Sequence, residues 1–373
     1  MKNNEEFRPL PFFLEMFLKK EELQEYYIKK REYQYQHNQH LRGQKIRDAL
    51  HPVLLSLMAF ARKYTNKQTL TIINDERKQS DKPVIYAITH VGMYDLQIVS
   101  EAIRDHQYTF MGDPETMYRT GDGLIMSLNG VVYCDTDDKG EFAQGNTYID
   151  TTGEEHTDIY VKRESDRKIA KNVAVDVLKS GNNLMIYPEG VWNLSPNLLS
   201  LPLFPGIIDI ALETNCEIIP VAIEQYDKDF VVNIGKNINV NPDNKTFATE
   251  TERKSYIEEQ KENLRDTMAT LKWNIFKTRP LEQRAKYGTY EEEYRKYVDT
   301  RYNEWVNKKT KKPYYNDEIV RKRTFKVKNV HFAEDVFAHL RNLKLNKNNA
   351  FLFRNYQGAT PEIEAELTNK LKR

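Results

Sequence analysis

The sequence holds only two cysteines, Cys134 and Cys216, among 373 residues. That excludes a disulfide-stapled scaffold and a four-cysteine zinc site, and makes a reducing, cytoplasmic setting the expectation. Long apolar runs are also missing: nothing approaches the ~20 consecutive apolar residues of a spanning helix. An integral membrane protein is therefore not expected, while peripheral attachment at the inner membrane surface is. The opening residues, MKNNEEFRPLPFF, lack the unbroken apolar core and cleavage site of a secretory signal. Neither charge sign is in excess, since 56 Lys and Arg against 55 Asp and Glu leave 56 − 55 = +1. Bulk charge thus does not make the molecule a polyanion binder. The histidines His37, His40, His51, His106, His156, His331 and His339 are scattered, with no H-x-x-x-H spacing, so no catalytic metal is expected. No G-x-S-x-G elbow occurs, which removes the usual serine nucleophile.

Three regions differ in texture. Residues 1–68 read as an N-terminal helical segment. Within it, 14–47 is polar and free of proline, and 49–61 (ALHPVLLSLMAFA) places Leu50, Leu54, Leu57 and Ala61 at helical spacing. Pro52 is expected near that helix's start. Residues 69–278 alternate short β-rich runs with helical ones, which predicts an α/β fold: a mixed, mostly parallel sheet with helices on both faces. Strands are expected at Val84–Thr89, Tyr108–Met111, Val131–Cys134, Leu184–Tyr187, Glu217–Ile223 and Phe230–Ile234. Helices are expected at Asp95–Arg104, at Ser165–Lys179 closed by Gly181, at Ile207–Thr214 and over 250–272. The stretch 136–164 reads as a polar surface loop. Residues 279–373 form a charged, helical C-terminal extension. Within it, 306–330 holds nine basic residues against Asp317 and Glu318, a local 9 − 2 = +7. That run suits a solvated face, anionic headgroups or an acidic carrier protein. No nucleic-acid motif accompanies it, and nucleic acid is not an expected partner.

Chemistry concentrates at strand ends. His90 follows the run Val84–Thr89, and Asp95 lies five residues on, in T-H-V-G-M-Y-D. The C-terminal ends of parallel strands are where open α/β sheets place their sites. A turn returning Asp95 to the imidazole would make a general base with a fixed tautomer. Without a protein nucleophile, such a base would activate a hydroxyl or amine on a substrate. A second turn, Tyr187-Pro188-Glu189-Gly190, places a carboxylate at another strand end. The run Ile218-Ile219-Pro220-Val221-Ala222-Ile223 reads as a strand edge or a strand's beginning, because proline cannot donate to a ladder.

These blocks occur in one order: H-x4-D, then Asn129-Gly130-Val131-Val132-Tyr133-Cys134-Asp135, then Y-P-E-G, then I-I-P-V-A-I. The series resembles the glycerolipid acyltransferase family, which includes the glycerol-3-phosphate and lysophosphatidic acid acyltransferases. The resemblance covers about residues 69–275. It implies that His90 is the general base and Asp95 its orienter, and that an acceptor hydroxyl attacks an acyl thioester with no acyl-enzyme. It also implies acyl-CoA or an acyl carrier protein as donor, no cofactor beyond that co-substrate, and a lipid acceptor at a membrane surface. Gly130, Asp135, Thr136, Glu189, Gly190 and Trp192 are carried over as substrate-binding positions. Backbone N–H groups at the start of the helix after His90 are the expected oxyanion donors.

Three positions depart from the family's pattern. Thr136 stands where an arginine usually follows the Asp, Trp192 replaces the arginine of the third block, and Pro205 replaces a lysine in Phe204-Pro205-Gly206. Those basic residues bind the acceptor's phosphate in the family. Their loss predicts an acceptor without a phosphate beside the acylated hydroxyl, such as a lyso-aminolipid, a glycolipid or an amine. The alternative is replacement by Lys139, Arg163, Arg167 or Lys168. Trp192 then reads either as an acceptor wall or as a core aromatic beneath the site. Phe12, Phe13, Leu14 and Phe17, with the 49–61 helix, are candidate groove walls or bilayer contacts. A thioesterase acting through the same His–Asp pair and a non-catalytic lipid-binding protein are the rival readings.

Overall fold

Val84-Ile85-Tyr86-Ala87-Ile88 has no charged side chain to turn toward water, and the computed structural model buries all five as a strand. The structure describes residues 44–92, 94–111, 129–134, 159–190, 199–226 and 228–278, with single positions or short pieces among 7–41, 148–156 and 192–193. Phe12, Phe13, Leu14, Phe17, Asp135, Thr136, Lys139 and the basic run 306–330 lie outside the described residues.

The strands are β1 (Thr69–Asp75), β2 (Val84–Ile88), β3 (Gln107–Met111), β4 (Val131–Tyr133), β5 (Tyr148–Ile149), β6 (Glu155–His156), β7 (Asn183–Ile186), β8 (Glu217–Tyr226) and β9 (Asp229–Ile234). The helices are α1 (Gln44–Phe60), α2 (Asp95–Ile103), α3 (Ile159–Lys179), α4 (Gly206–Thr214) and α5 (Glu250–Lys277). Seven strands form one sheet in the order β1-β9-β8-β2-β7-β3-β4, and β5 pairs with β6 separately. The β1–β9, β3–β4 and β3–β7 ladders are parallel, and β8–β9 is antiparallel. The expected mixed, mostly parallel α/β sheet is thus observed, with an N-terminal and a C-terminal helix beside it.

The chain divides into two compact units. One comprises Met1–Ala59, Lys82–Val84 and Arg104–Ile186. Here α1 turns His51, Leu54 and Met58 inward. His51 Nδ1 lies 2.9 Å from Asn129 Oδ1 and its Nε2 3.1 Å from the Arg104 carbonyl. Burial lowers the pKa of the neighbouring His106, and Asp48, 3.0 Å from its Nδ1, opposes that shift. Gly130 adopts φ +98°, and a Cβ there would collide with the Tyr108 ring.

The other unit comprises Phe60–Asp81, Ile85–Ile103 and Tyr187–Arg373. There α5 packs on β8 and β9 through Ala222, Val231, Leu271 and Ile275. Thr249 and Glu252 cap its start: Glu252 N–H donates to Thr249 Oγ1, and Glu252 Oε2 accepts from Ala248 N–H.

Several sequence expectations are corrected. The helix over 14–47 is not continuous, because described positions 37, 39 and 41 are turn or coil and α1 begins afresh at Gln44. Asn38 and Gly43 are poor helix formers in that gap. Pro52 falls inside α1 rather than at its start. Leu50 and Leu57 are exposed, because His51 finds buried polar partners and turns its own face inward. The loop expected over 136–164 contains β5, β6 and the start of α3. No glycine or proline between Ile159 and Ser165 stops that helix, so Ser165 is interior rather than its cap. Pro220 lies in an interior strand, not at an edge. Its carbonyl accepts Gly235 N–H at 2.9 Å, and the β8–β9 ladder begins at Val221. The missing donor therefore falls at the ladder's end.

Candidate active site

The residue after β2 is Thr89, whose hydroxyl accepts the Ile223 N–H at 3.0 Å and so ties the strand end to β8. His90 follows, outside the ladder. Asp95 opens α2, and the five-residue spacing folds its carboxylate back over the turn. Its Oδ2 lies 2.8 Å from His90 Nδ1. The same oxygen accepts Val91 N–H at 2.6 Å and Gly92 N–H at 2.9 Å. Asp95 is thus held by the backbone of the turn it closes, with 1% side-chain exposure against 17% for His90. An ionised carboxylate there fixes the imidazole with its proton on Nδ1, and Nε2 is left as the basic nitrogen.

The Val91 and Gly92 N–H groups of this turn are therefore taken by Asp95. A buried carboxylate needs donors, and the nearest are the amides of its own turn.

The Tyr187–Gly190 turn supplies the site's other wall. The Tyr187 ring lies against the imidazole at 4.4 Å between centroids, inclined 34°. Trp192 stands edge-on to it at 6.1 Å and 80°. Its 2% exposure makes it a buried aromatic behind the imidazole. Asn193 N–H donates to the His90 carbonyl at 2.6 Å, so the segment after the turn grips the His90 backbone. Gly190 has φ +70°, and a Cβ there would collide with Phe204. Phe204 is itself 50% exposed and donates its N–H to the Pro188 carbonyl at 2.8 Å. It is the aromatic that this turn presents outward. Pro205, in place of the family's lysine, is the N-cap of α4.

Glu189 points inward and is fully buried. Its Oε2 accepts Leu201 N–H at 3.1 Å, while Oε1 is buried without a hydrogen-bond partner. Burial pushes its pKa up to about 7, against the opposing pull of Lys272, the backbone around it and Arg265. Lys272 is buried too, with Nζ 2.9 Å from Glu224 Oε1.

Of the predicted positions, His90, Asp95, Glu189, Gly190 and Trp192 come together in one unit. Gly130 belongs to the other unit, and Asp135 and Thr136 lie outside the described residues. Sequence reasoning missed Tyr187 as a ring partner, Asn193, Glu224 and Lys272. The signal for Lys272 was present: with Leu264, Met268 and Ile275 it falls on one helical face, and all four are buried. Cys134 and Cys216 are buried free thiols. Among the described residues no helix is long and apolar enough to cross a membrane.

Among solved structures, the chain is similar to the 1-acyl-sn-glycerophosphate (LPA) acyltransferase PlsC from Thermotoga maritima. Identity is 14% and the TM-score 0.39, over 68% of this chain and 93% of that one. No curated protein matches. Residues 69–224 match the family described as Acyltransferase.

Proposed function

We propose that the protein transfers a fatty acyl group from an acyl-CoA or acyl carrier protein thioester to a hydroxyl or amine of a lysolipid-like acceptor. The observation that carries this reading is the His90–Asp95 contact at 2.8 Å, with Asp95 locked by two backbone amides, inside the segment that matches the Acyltransferase family. His90 Nε2 takes the acceptor's proton as its oxygen or nitrogen attacks the thioester carbonyl. The tetrahedral intermediate then collapses, the C–S bond breaks, and the imidazolium returns the proton to the leaving thiolate. General-base help of this type is worth about 10²–10⁴-fold. Asp95 supplies the negative charge that stabilises the imidazolium.

The acceptor is one without a phosphate beside the acylated hydroxyl. Buried Trp192, the capping Pro205 and half-exposed Phe204 support this, because none offers the charge-assisted bonds a phosphate needs. Peripheral attachment to a lipid surface completes the reading. Ile46, Leu50, Val53, Leu57 and Phe60 are exposed along α1, with exposed Lys45 and Lys63 at its two ends.

The test is thiol release from palmitoyl-CoA with a panel of acceptors, wild type beside His90→Ala, products identified by mass spectrometry. The panel spans lysophosphatidic acid, glycerol 3-phosphate, lysophospholipids, glycolipids and amino-lipids. A His90-dependent acyl product on a phosphate-free acceptor is expected. Acylation of lysophosphatidic acid alone would overturn the acceptor assignment, and free fatty acid as the sole product would make the protein a thioesterase.

A further inference from the structure

The segment that runs from Tyr187 to Asn193 clasps His90 at two points. The Tyr187 ring lies on the imidazole at 4.4 Å between centroids, and Asn193 N–H donates to the His90 carbonyl at 2.6 Å. The place of the ring is set by its own backbone. Pro188 disfavours helical backbone at the residue before it. Gly190 N–H donates to the Tyr187 carbonyl at 2.9 Å, and Phe204 N–H ties the Pro188 carbonyl at 2.8 Å. A closed turn thus carries the Tyr187 ring over His90.

Asp95 by itself leaves two tasks undone. A hydrogen bond tolerates about 30° of misalignment, so the Nδ1 contact alone lets the imidazole rock about Asp95 Oδ2. Nε2 is the nitrogen farther from that pivot and would swing most. An aromatic face laid against the imidazole stops this motion. The second task is charge. The imidazole becomes a cation only when Nε2 takes the acceptor's proton, and the charge spreads over its ring. The face of a tyrosine carries negative potential, which attracts a cation within about 6 Å of its centroid. The Tyr187 face, at 4.4 Å and 34°, meets that condition, whereas Trp192, edge-on at 6.1 Å and 80°, lies outside it. The attraction exists after the proton has moved and not before, so it lowers the barrier rather than tightening substrate binding.

We propose that Tyr187 is a positioning residue of the acyl-transfer site: its ring face fixes the direction of His90 Nε2 and attracts the charge that the imidazole gains with the proton. The inference rests on the function proposed above; the ring contact itself does not. Tyr187 neither gives nor takes a proton, so its hydroxyl is dispensable and its face is not. Asp95 and Tyr187 divide the work by direction. The carboxylate holds the imidazole through Nδ1, and the tyrosine holds it across its face.

The test varies the ring face while keeping its shape. In the full chain, Tyr187 is replaced by phenylalanine, by phenylalanines carrying one, two and three ring fluorines, and by leucine. Thiol release with the acceptor panel gives kcat and KM for each, beside thermal melts. Tyr187→Phe is expected to stay within about two-fold of wild type, since the face is kept. Each fluorine withdraws electron density from the face. The rate is therefore expected to fall stepwise, reaching about 3- to 30-fold below Tyr187→Phe in kcat with KM little changed. Tyr187→Leu should lose at least as much. In a sample with ¹³C-labelled histidine, the His90 Cε1–H resonance is assigned by its loss in His90→Ala. Its ring-current shift should vanish in Tyr187→Leu and persist in Tyr187→Phe. A flat kcat across the folded fluorinated series overturns the proposal, and so does a Tyr187→Phe enzyme as impaired as Tyr187→Leu. If Tyr187→Leu does not fold, the fluorinated series still decides, because fluorine is close to hydrogen in size. A wild type that releases no thiol with any acceptor refutes the proposed function, whereas an active wild type with a flat series refutes only the role of Tyr187.

Discussion

Replacing Asp95 by asparagine separates its charge from its shape. Asp95 Oδ2 receives His90 Nδ1 and the Val91 and Gly92 amides, whereas Oδ1 is buried with no hydrogen-bond partner. An asparagine oxygen in the Oδ2 place keeps both backbone bonds, now without charge assistance. Its NH₂ then occupies the Oδ1 place with no acceptor. An unsatisfied buried donor costs about 1–3 kcal/mol, so the variant is expected to fold with a modestly lowered melting temperature. The catalytic effect is larger. Unit charges 2.8 Å apart attract by about 6 kcal/mol at an effective dielectric near 20. Only the part gained as the imidazole becomes charged lowers the barrier. The expected loss in kcat is therefore about 10²–10⁴-fold, with KM little changed. Initial rates of thiol release, measured beside thermal melts, test this. Because His90 and Asp95 act as a unit, His90→Ala with Asp95→Asn should lose no more than His90→Ala alone. A folded Asp95→Asn enzyme keeping more than about a third of wild-type kcat would falsify the assignment of Asp95, since such a loss is far below that range.

Three further outcomes are expected. Folded Glu189 keeps its proton up to about pH 7, while the unfolded chain releases it near 4.5, so the folded state binds more protons between those values. Stability should thus fall as pH rises through that window, and the cost persists above it. Glu189→Gln keeps an acceptor for Leu201 and should be more stable than wild type above pH 7 by up to about 3 kcal/mol; urea melts across the window check this, and parallel curves for the two proteins would refute it. Gly190→Ala places a Cβ against Phe204 at φ +70°, and should lower stability by about 1–3 kcal/mol. Phe204→Ala in the same chain recovers the steric part, and an unchanged melting temperature for Gly190→Ala alone would contradict the strained turn. Leu57→Asp, on the exposed side of α1, should weaken co-sedimentation with anionic vesicles several-fold without changing thermal stability; equal retention would remove α1 from the lipid contact.

Short-range spacing decided much of this protein before any folding is considered. Uninterrupted apolar runs dictated buried parallel strands, and the five residues from His90 to Asp95 dictated a turn that returns the carboxylate to the imidazole. Glu189 was legible as a strand-end residue for the same reason, because such turns are local. What the sequence left open depends on contacts between residues far apart in the chain. Only the folded packing brings Lys272 to Glu224, because that meeting needs α5 laid across β8 and β9. Tertiary contacts also chose the inward face of α1, where the partners found by His51 outweighed the apolar spacing of Leu50 and Leu57. They made Trp192 a buried backing to the imidazole, a choice its residue type left undecided. The Val91 and Gly92 amides went to Asp95 because a buried carboxylate takes the nearest donors, a competition that appears only once the turn is closed.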